Sequence, residues 1–257
     1  IDENLYLVGS EQFGLSHLLD CNCYLLAVDD CLTLVDTGTG MGANEILENI
    51  QRHGFDPAKL KLIVVTHAHL GRGGRAPDLR EATGAEIWAP EGGAHLMENI
   101  KEDRTIWQNF EFGRYPADFK PQPCKPDRTF ADGEALDCGS FQLQSILVQG
   151  HTKDSTCLLW ESSGKRVLFT GDVVFYAGAL GISNAPGASL EDYRRDMPKL
   201  ANLRINVLLP GHGVFILKNG QKHIDRALRK LADFVLPETF FESNEFMWEQ
   251  DYRSSLE

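Results

Sequence analysis

What most narrows the folds open to this chain is a repeated ending, in which an apolar run stops at glycine or threonine and is followed by a side chain that can ligate a metal. The clearest case is Val64-Val65-Thr66-His67-Ala68-His69-Leu70-Gly71-Arg72-Gly73-Gly74. The run Leu60 to Val65, broken by one lysine, reads as a buried strand, and it halts at two histidines spaced i, i+2 on a glycine-rich turn. Residues two apart project to the same side of an extended chain. Both imidazoles can therefore converge on one ion, and the glycines leave room for it.

Three later stretches end the same way. Ile146-Leu147-Val148 runs through Gln149 into Gly150-His151, Val167 to Thr170 into Gly171-Asp172, and Val207 to Pro210 into Gly211-His212-Gly213. Upstream, Leu32-Thr33-Leu34-Val35 runs into Asp36-Thr37-Gly38. In this order, from about Leu5 to His212, the chain resembles the metallo-β-lactamase superfamily. The resemblance implies an α/β fold, a four-layer αβ/βα sandwich of two mixed β-sheets flanked by helices. It also implies a first metal site on His67, His69 and His151, with Asp172 as a bridging ligand, His212 as a ligand of a second ion, and Asp36 as a carboxylate that orients a ligand. Read locally, Asp36 is equally an Asx turn or a helix cap. The Gly150 to Ser155 stretch looks most like the glyoxalase II and lactonase branches.

The chain departs from the family at one point. Where the pattern is His-x-His-x-Asp-His, the last two positions here are Gly71 and Arg72. Glycine offers no ligand atom, and arginine is permanently cationic and only donates. Asp172 is then the remaining candidate base. Arg72 is expected to bind a substrate carboxylate or a developing oxyanion as a fixed charge, or else to form a structural ion pair on the turn.

A length of 257 residues, 42% hydrophobic and 24% charged, suits a globular chain with a sizeable core. The expectation is one domain over 1–257, with a partly helical aromatic insertion at about 94–121 and a C-terminal helix and tail at about 220–257. No apolar run is long enough to span a membrane. The net charge of −12 argues against a nucleic-acid surface, which needs a basic stripe. The basic cluster Arg226 to Lys230 has the spacing of a solvated helix face. The six cysteines lack paired spacing and read as reduced thiols of a cytoplasmic protein, with Cys21 and Cys23 packing at a strand start. Ile1 is not an initiator methionine, so a trimmed terminus and a cleaved signal peptide stay open, and Leu256-Glu257 reads equally as a cloning scar.

Strands are expected at Leu5 to Val8, Tyr24 to Ala27 and Leu32 to Val35. An amphipathic helix follows over Ala43 to Arg52, then a short helix stopped by Gly84 and a strand at Ile87 to Ala89. Trp107, Phe110, Phe112, Tyr115 and Phe119 make the insertion either a lid with an aromatic wall or a satellite core, and His95 within it reads as structural. Asp132-Gly133 reads as a hairpin. The order run, turn, helix, run, histidine occurs at Leu32 to His67 and again from Val167, through a helix at Leu190 to Met197, to His212. The loop Ala177 to Ser189 is expected to rim the site. Ile224, Leu228, Leu231 and Phe234 form a helical stripe, His223 is expected to be exposed, and Phe240, Phe241, Phe246, Trp248 and Tyr252 make a tail that docks on the body.

Three neutral imidazoles and a carboxylate suit Zn²⁺, with Fe²⁺ as the alternative. Zinc brings the pKa of bound water to about 7, which supports hydrolysis by a metal-bound hydroxide. The expected function is a metal-dependent hydrolase of an ester, thioester or lactone, with one zinc ion or an asymmetric pair, acting on a small molecule. A β-lactam is less favoured. The alternatives are an iron sulfur dioxygenase and a non-catalytic, decayed member. A homodimer is among the expected assemblies.

Overall fold

The structure is a computed structural model that describes residues 1, 3–29, 31–41, 44–233 and 235–240. Ala43, Phe234, Phe241, Phe246, Trp248 and Tyr252 lie outside them.

The first sheet has the order β1 to β6: Leu5–Gly9, Cys23–Val28, Cys31–Val35, Leu60–Val64, Glu86–Pro90 and Arg128–Phe130. Its first three strands are antiparallel, β1 joined to β2 by the loop over 10–22 and β2 to β3 by a short connection, and the rest are parallel. The parallel connections carry α1 (Glu45–Arg52), α2 (Leu70–Gly73) and α3 (Ala76–Thr83). The insertion follows β5 as α4 (Glu91–Glu98) and α5 (Arg104–Glu111), then irregular chain to β6. The second sheet has the order β11, β10, β9, β8, β7, from Val207–Pro210, Lys165–Gly171, Thr156–Ser162, Gln142–Leu147 and Ala135–Asp137. Only β10 and β11 pair in parallel, and α6 (Leu190–Asp196) lies between them in the chain. The helix α7 (Gln221–Ala232) follows.

Strand alternation accounts for the layers. Leu34 and Ile63 face the helices on one side, where they meet Ile46 and Leu79. Their neighbours Val35 and Val64 face the second sheet, where they meet Leu158, Trp160 and Phe169. Leu159, Leu168 and Leu208 turn outward to Tyr193, Met197 and Ile224. Three apolar layers thus separate helix, sheet, sheet and helix. Truncating a ring in the middle layer, such as Trp160 or Phe169, would cost about 3–5 kcal/mol.

The repeated run–helix–run order is real geometry. β3 pairs in parallel with β4 as β10 does with β11, so His67 and His212 leave equivalent strand ends. The hairpin at Asp132-Gly133 is not formed. β6 pairs with β5 and β7 with β8, so the turn carries the chain from one sheet to the other, tied by Leu147 N–H to Asp132 Oδ1 at 2.8 Å. Such a turn fixes a reversal but not the partner of the strand that follows. His223 is half-buried, and its Nδ1 accepts from the Ala177 N–H at 2.8 Å. Cys21 and Cys23 are buried in the first layer, and the six thiols are free. His95 is exposed beside Glu102. Among the described residues no helix is long and apolar enough to cross a membrane.

Candidate metal centre

The turn after β4 brings two histidines inward because its backbone is pinned between them: the Ala68 N–H donates to Asp154 Oδ2 at 2.7 Å. Gly93 at the start of α4 is what lets that carboxylate sit there, since a Cβ would stand 2.1 Å from Asp154 Oδ2. His151 arrives from the loop after β8. The ligand atoms of His67, His69 and His151 lie within 4.8 Å of one another, with His67 Nε2 3.2 Å and His151 Nε2 3.0 Å from His69 Nδ1. The rings stand edge to face at 75°, 81° and 89°.

The outer nitrogen of His151 fixes which lone pair points inward. The Gly181 carbonyl, 2.5 Å from His151 Nδ1, can only accept, so that nitrogen carries the proton and the lone pair of Nε2 faces His69. The Thr66 hydroxyl lies between Asp36 Oδ2 at 2.9 Å and His67 Nδ1 at 3.2 Å, so it relays the carboxyl to the ring. Asp36 therefore reaches the ligand only through Thr66, and it also accepts the Thr66 N–H at 2.8 Å. The donor set fits a tetrahedral cation, whose bonds of about 2.0–2.1 Å separate its ligands by about 3.4 Å.

Burial disfavours the charged forms of His67, His151 and Asp36. It holds His67 well below the usual histidine range, aided by repulsion from His151 and His69, and lowers His151 to about 3. Burial pushes Asp36 up to about 8, against the Thr66 hydrogen bonds. Burial would also raise Asp172, but the charge of Arg72 leads the influences that hold it well below the carboxylate range.

Asp172 divides its two oxygens. Oδ1 accepts from Arg72 Nη2, while Oδ2 lies 3.5 Å from His151 Nε2, 3.8 Å from His67 Nε2 and 3.9 Å from His212 Nε2. Arg72 is 1% exposed, and its Nη1 donates to the Gly211 carbonyl at 3.2 Å. The expected contact of Arg72 with a substrate carboxylate or oxyanion is not offered by this arrangement, because the guanidinium is sealed behind Asp172. An ion pair is present, but with Asp172 across the site and not with a group on the turn. His212 stands apart from the three-histidine group, with its Nδ1 2.8 Å from Glu11 Oε1.

Glu11, Asn22 and Asp154 were not singled out as site residues in the sequence. Asn22 holds the His212 turn by donating to the Pro210 and Gly213 carbonyls at 3.0 and 3.1 Å. No local periodicity marks such long-range contacts; for Asp154 the usable signal was its place three residues after His151. The loop Ala177 to Ser189 does rim the site, through Gly181.

Two mixed sheets with histidines gathered at their strand ends define the class of αβ/βα metal-binding folds. The description Metallo-beta-lactamase superfamily matches residues 18–212, and the chain belongs to that family. It is 25% identical over 228 residues to an atrochrysone carboxyl ACP thioesterase of Aspergillus fumigatus, covering 87% of this chain but only 61% of that protein. It is 29% identical over 199 residues to the hydroxyacylglutathione hydrolase GloC of Haemophilus influenzae, covering 76% and 86%. In fold it is similar to the MIM-2 metallo-β-lactamase, with a TM-score of 0.67, 22% identity, and 89% and 85% of the two chains covered.

Proposed function

We propose that this chain is a metal-dependent hydrolase of thioesters, with one ion on His67, His69 and His151 and with Asp172 Oδ2 beside it. The observation that carries the reading is the convergence of three imidazole rings, His151 among them oriented by the Gly181 carbonyl behind it. When bound, zinc supplies an acidified water and polarises the substrate carbonyl.

The chain's own residues do the rest. Ionised and held by Arg72, Asp172 is a weak base, so its role is to accept a hydrogen bond through Oδ2 and aim the attacking water. His212 Nε2, at the more open side of the site, can pass a proton to the departing group. A thiolate, with a reference pKa of about 8.5, leaves with little such help, whereas an amide nitrogen needs a well-placed acid. That difference favours a thioester over a β-lactam. Both relatives named above are named for releasing an acyl group from a carrier.

An acyl group has an apolar place to go. The insertion forms a cleft of about 770 Å³ lined by Trp107, Phe110, Tyr115 and Phe119, with Lys101 and Lys120 also lining it. That volume is in the range of small-molecule sites, roughly 300–1,000 Å³. Burial raises the Tyr115 phenol to about 12, so this wall of the cleft stays uncharged.

Purified protein loaded with zinc, and separately with iron, is assayed on matched acyl thioesters, aryl esters, lactones and a β-lactam. The expected order places the thioester first, with KM falling as the acyl chain lengthens and Trp107→Ala removing that dependence. Iron-dependent oxygen uptake on a persulfide would move the reading to the dioxygenase. No turnover on any panel would leave a binding scaffold.

A further inference from the structure

Arg72 is held through both terminal guanidinium nitrogens and its backbone, while its Nε finds no partner among the described residues. Its Nη2 donates to Asp172 Oδ1 and its Nη1 to the Gly211 carbonyl at 3.2 Å. Its N–H donates to the His69 carbonyl at 2.8 Å, and its own carbonyl accepts from the Thr37 N–H at 2.7 Å and the Thr37 hydroxyl at 2.8 Å. Gly211 permits the closure, because a Cβ there would stand 2.6 Å from Arg72 Nη2 and 2.8 Å from Asp172 Oδ1.

The family resemblance implies a second ion beyond Asp172, and the residues present do not fit one. His212 Nε2 and Asp172 are there, but Gly71 has no side chain, and Arg72 brings only N–H donors and a charge it does not lose. A divalent cation on that side of Asp172 would face a guanidinium already bonded to the carboxylate it needs.

We propose that Arg72 is a tethered substitute for the second cation: it neutralises Asp172 Oδ1, leaves Oδ2 toward the three histidines, and limits the site to one ion. This rests on the metal reading of His67, His69 and His151 and deepens it. Arg72 acts through Asp172 as a positioning residue. The missing aspartate is not a matter of space, since a Cβ on Gly71 meets no atom within 4 Å.

Restoration is therefore the test. The unaltered chain, Arg72→Lys, Arg72→His and the double variant Gly71→Asp/Arg72→His are saturated with Zn²⁺ and desalted, and metal per chain is counted by plasma mass spectrometry. A Co²⁺ titration followed by visible absorption gives an endpoint that does not depend on turnover. The expected endpoint is one ion for the unaltered chain and for Arg72→Lys, and two for the double variant. Two tightly held ions in the unaltered chain overturn the proposal and leave the hydrolase reading standing. So does a double variant with an unchanged circular dichroism spectrum that stops at one ion.

If the double variant does not fold, Arg72→His carries the test. Its second Co²⁺ is expected to bind at least about tenfold more tightly than any second ion on the unaltered chain, the scale on which outer partners tune metal affinity. No gain overturns the proposal. An unaltered chain that holds no ion overturns the metal reading, and the proposal with it.

Discussion

His67 and His212 leave equivalent strand ends in the two halves of the molecule, yet their surroundings differ. His67 is fully buried, and its outer nitrogen meets a threonine hydroxyl that leans on a carboxylate. His212 is 18% exposed at the side chain and sits directly on the Glu11 carboxylate. Burial keeps the first imidazole neutral, which suits a cation. The second arrangement leaves an imidazole partly exposed and paired with a carboxylate, and the proposed reaction would use it to carry a proton. Topology thus supplies the position of a ligand, and the neighbours behind it decide what it does.

The comparison is tested most severely by deleting each histidine. His67→Ala or His151→Ala is expected to lose the ion and about 1,000-fold in kcat/KM, the loss of about 4 kcal/mol of charge stabilisation at 1.36 kcal/mol per decade. His212→Ala should keep the ion and lose about 10- to 100-fold. Metal content and steady-state kinetics on the three variants decide it, and equal losses would erase the distinction.

The next effect in size concerns the buried pair. Arg72→Met leaves the Asp172 carboxylate buried without its partner, which should cost about 3–5 kcal/mol in urea unfolding of the metal-free protein. Arg72→Met/Asp172→Leu should recover most of that loss, because an apolar pair needs no compensation. A single variant that unfolds like the unaltered chain would mean the pair contributes nothing.

Acid should act unequally on the two sides. In the metal-free protein His67 and His151 resist protonation while the unfolded chain takes up protons below about pH 6.5, so their contribution is full above that pH and is lost on acidification. Asp36 works the other way: its pKa, raised to about 8, adds stability at low pH that is lost as pH rises toward 8. Burial raises Asp154 as it does Asp36 and lowers His223 as it does the two site histidines, so the two sets oppose each other below pH 6.5, while above it the raised carboxyls alone act and stability falls toward pH 8. Asp172, held low, contributes only below the ordinary carboxylate range. Urea midpoints should fall from pH 6.5 to pH 8, and an unchanged or rising midpoint would contradict this charge assignment.

Much of this was legible in the sequence for a local reason. A ligand that follows an apolar strand is announced by the run before it, and Gly84, at φ 75°, marks the end of α3 as its type suggests. The rest depends on distant chain. Asp132-Gly133 reads as a turn either way, and only the partners of β6 and β7 show that it changes sheets. Glu11 and Asn22 sit far from the histidine turn they support. The charge and position of Arg72 were plain, but its inward direction depends on Gly211 leaving room. The aromatic insertion was recognisable by composition, whereas its cleft arises from Trp107, Phe110, Tyr115 and Phe119 packing on one another.

The smallest expected effect separates two glycines of the histidine turn. Gly71 lies in α2 without a positive φ, and a Cβ there meets nothing within 4 Å. Gly71→Ala should therefore stabilise by about 0.5–1 kcal/mol, through helix propensity and a less free unfolded chain. Gly74 is different, since its Cβ would stand 2.2 Å from the Thr39 carbonyl oxygen, and Gly74→Ala should destabilise the protein. Thermal melts of the two variants read opposite signs if packing alone distinguishes the positions. A stabilised Gly71→Ala would mean that folding does not require glycine where the family pattern has aspartate, and that the residue's consequence lies in the charge and ligands of the site. A destabilised one would mean the space beside Gly71 is not free, and restoring aspartate there would then disturb the turn before it could recruit an ion.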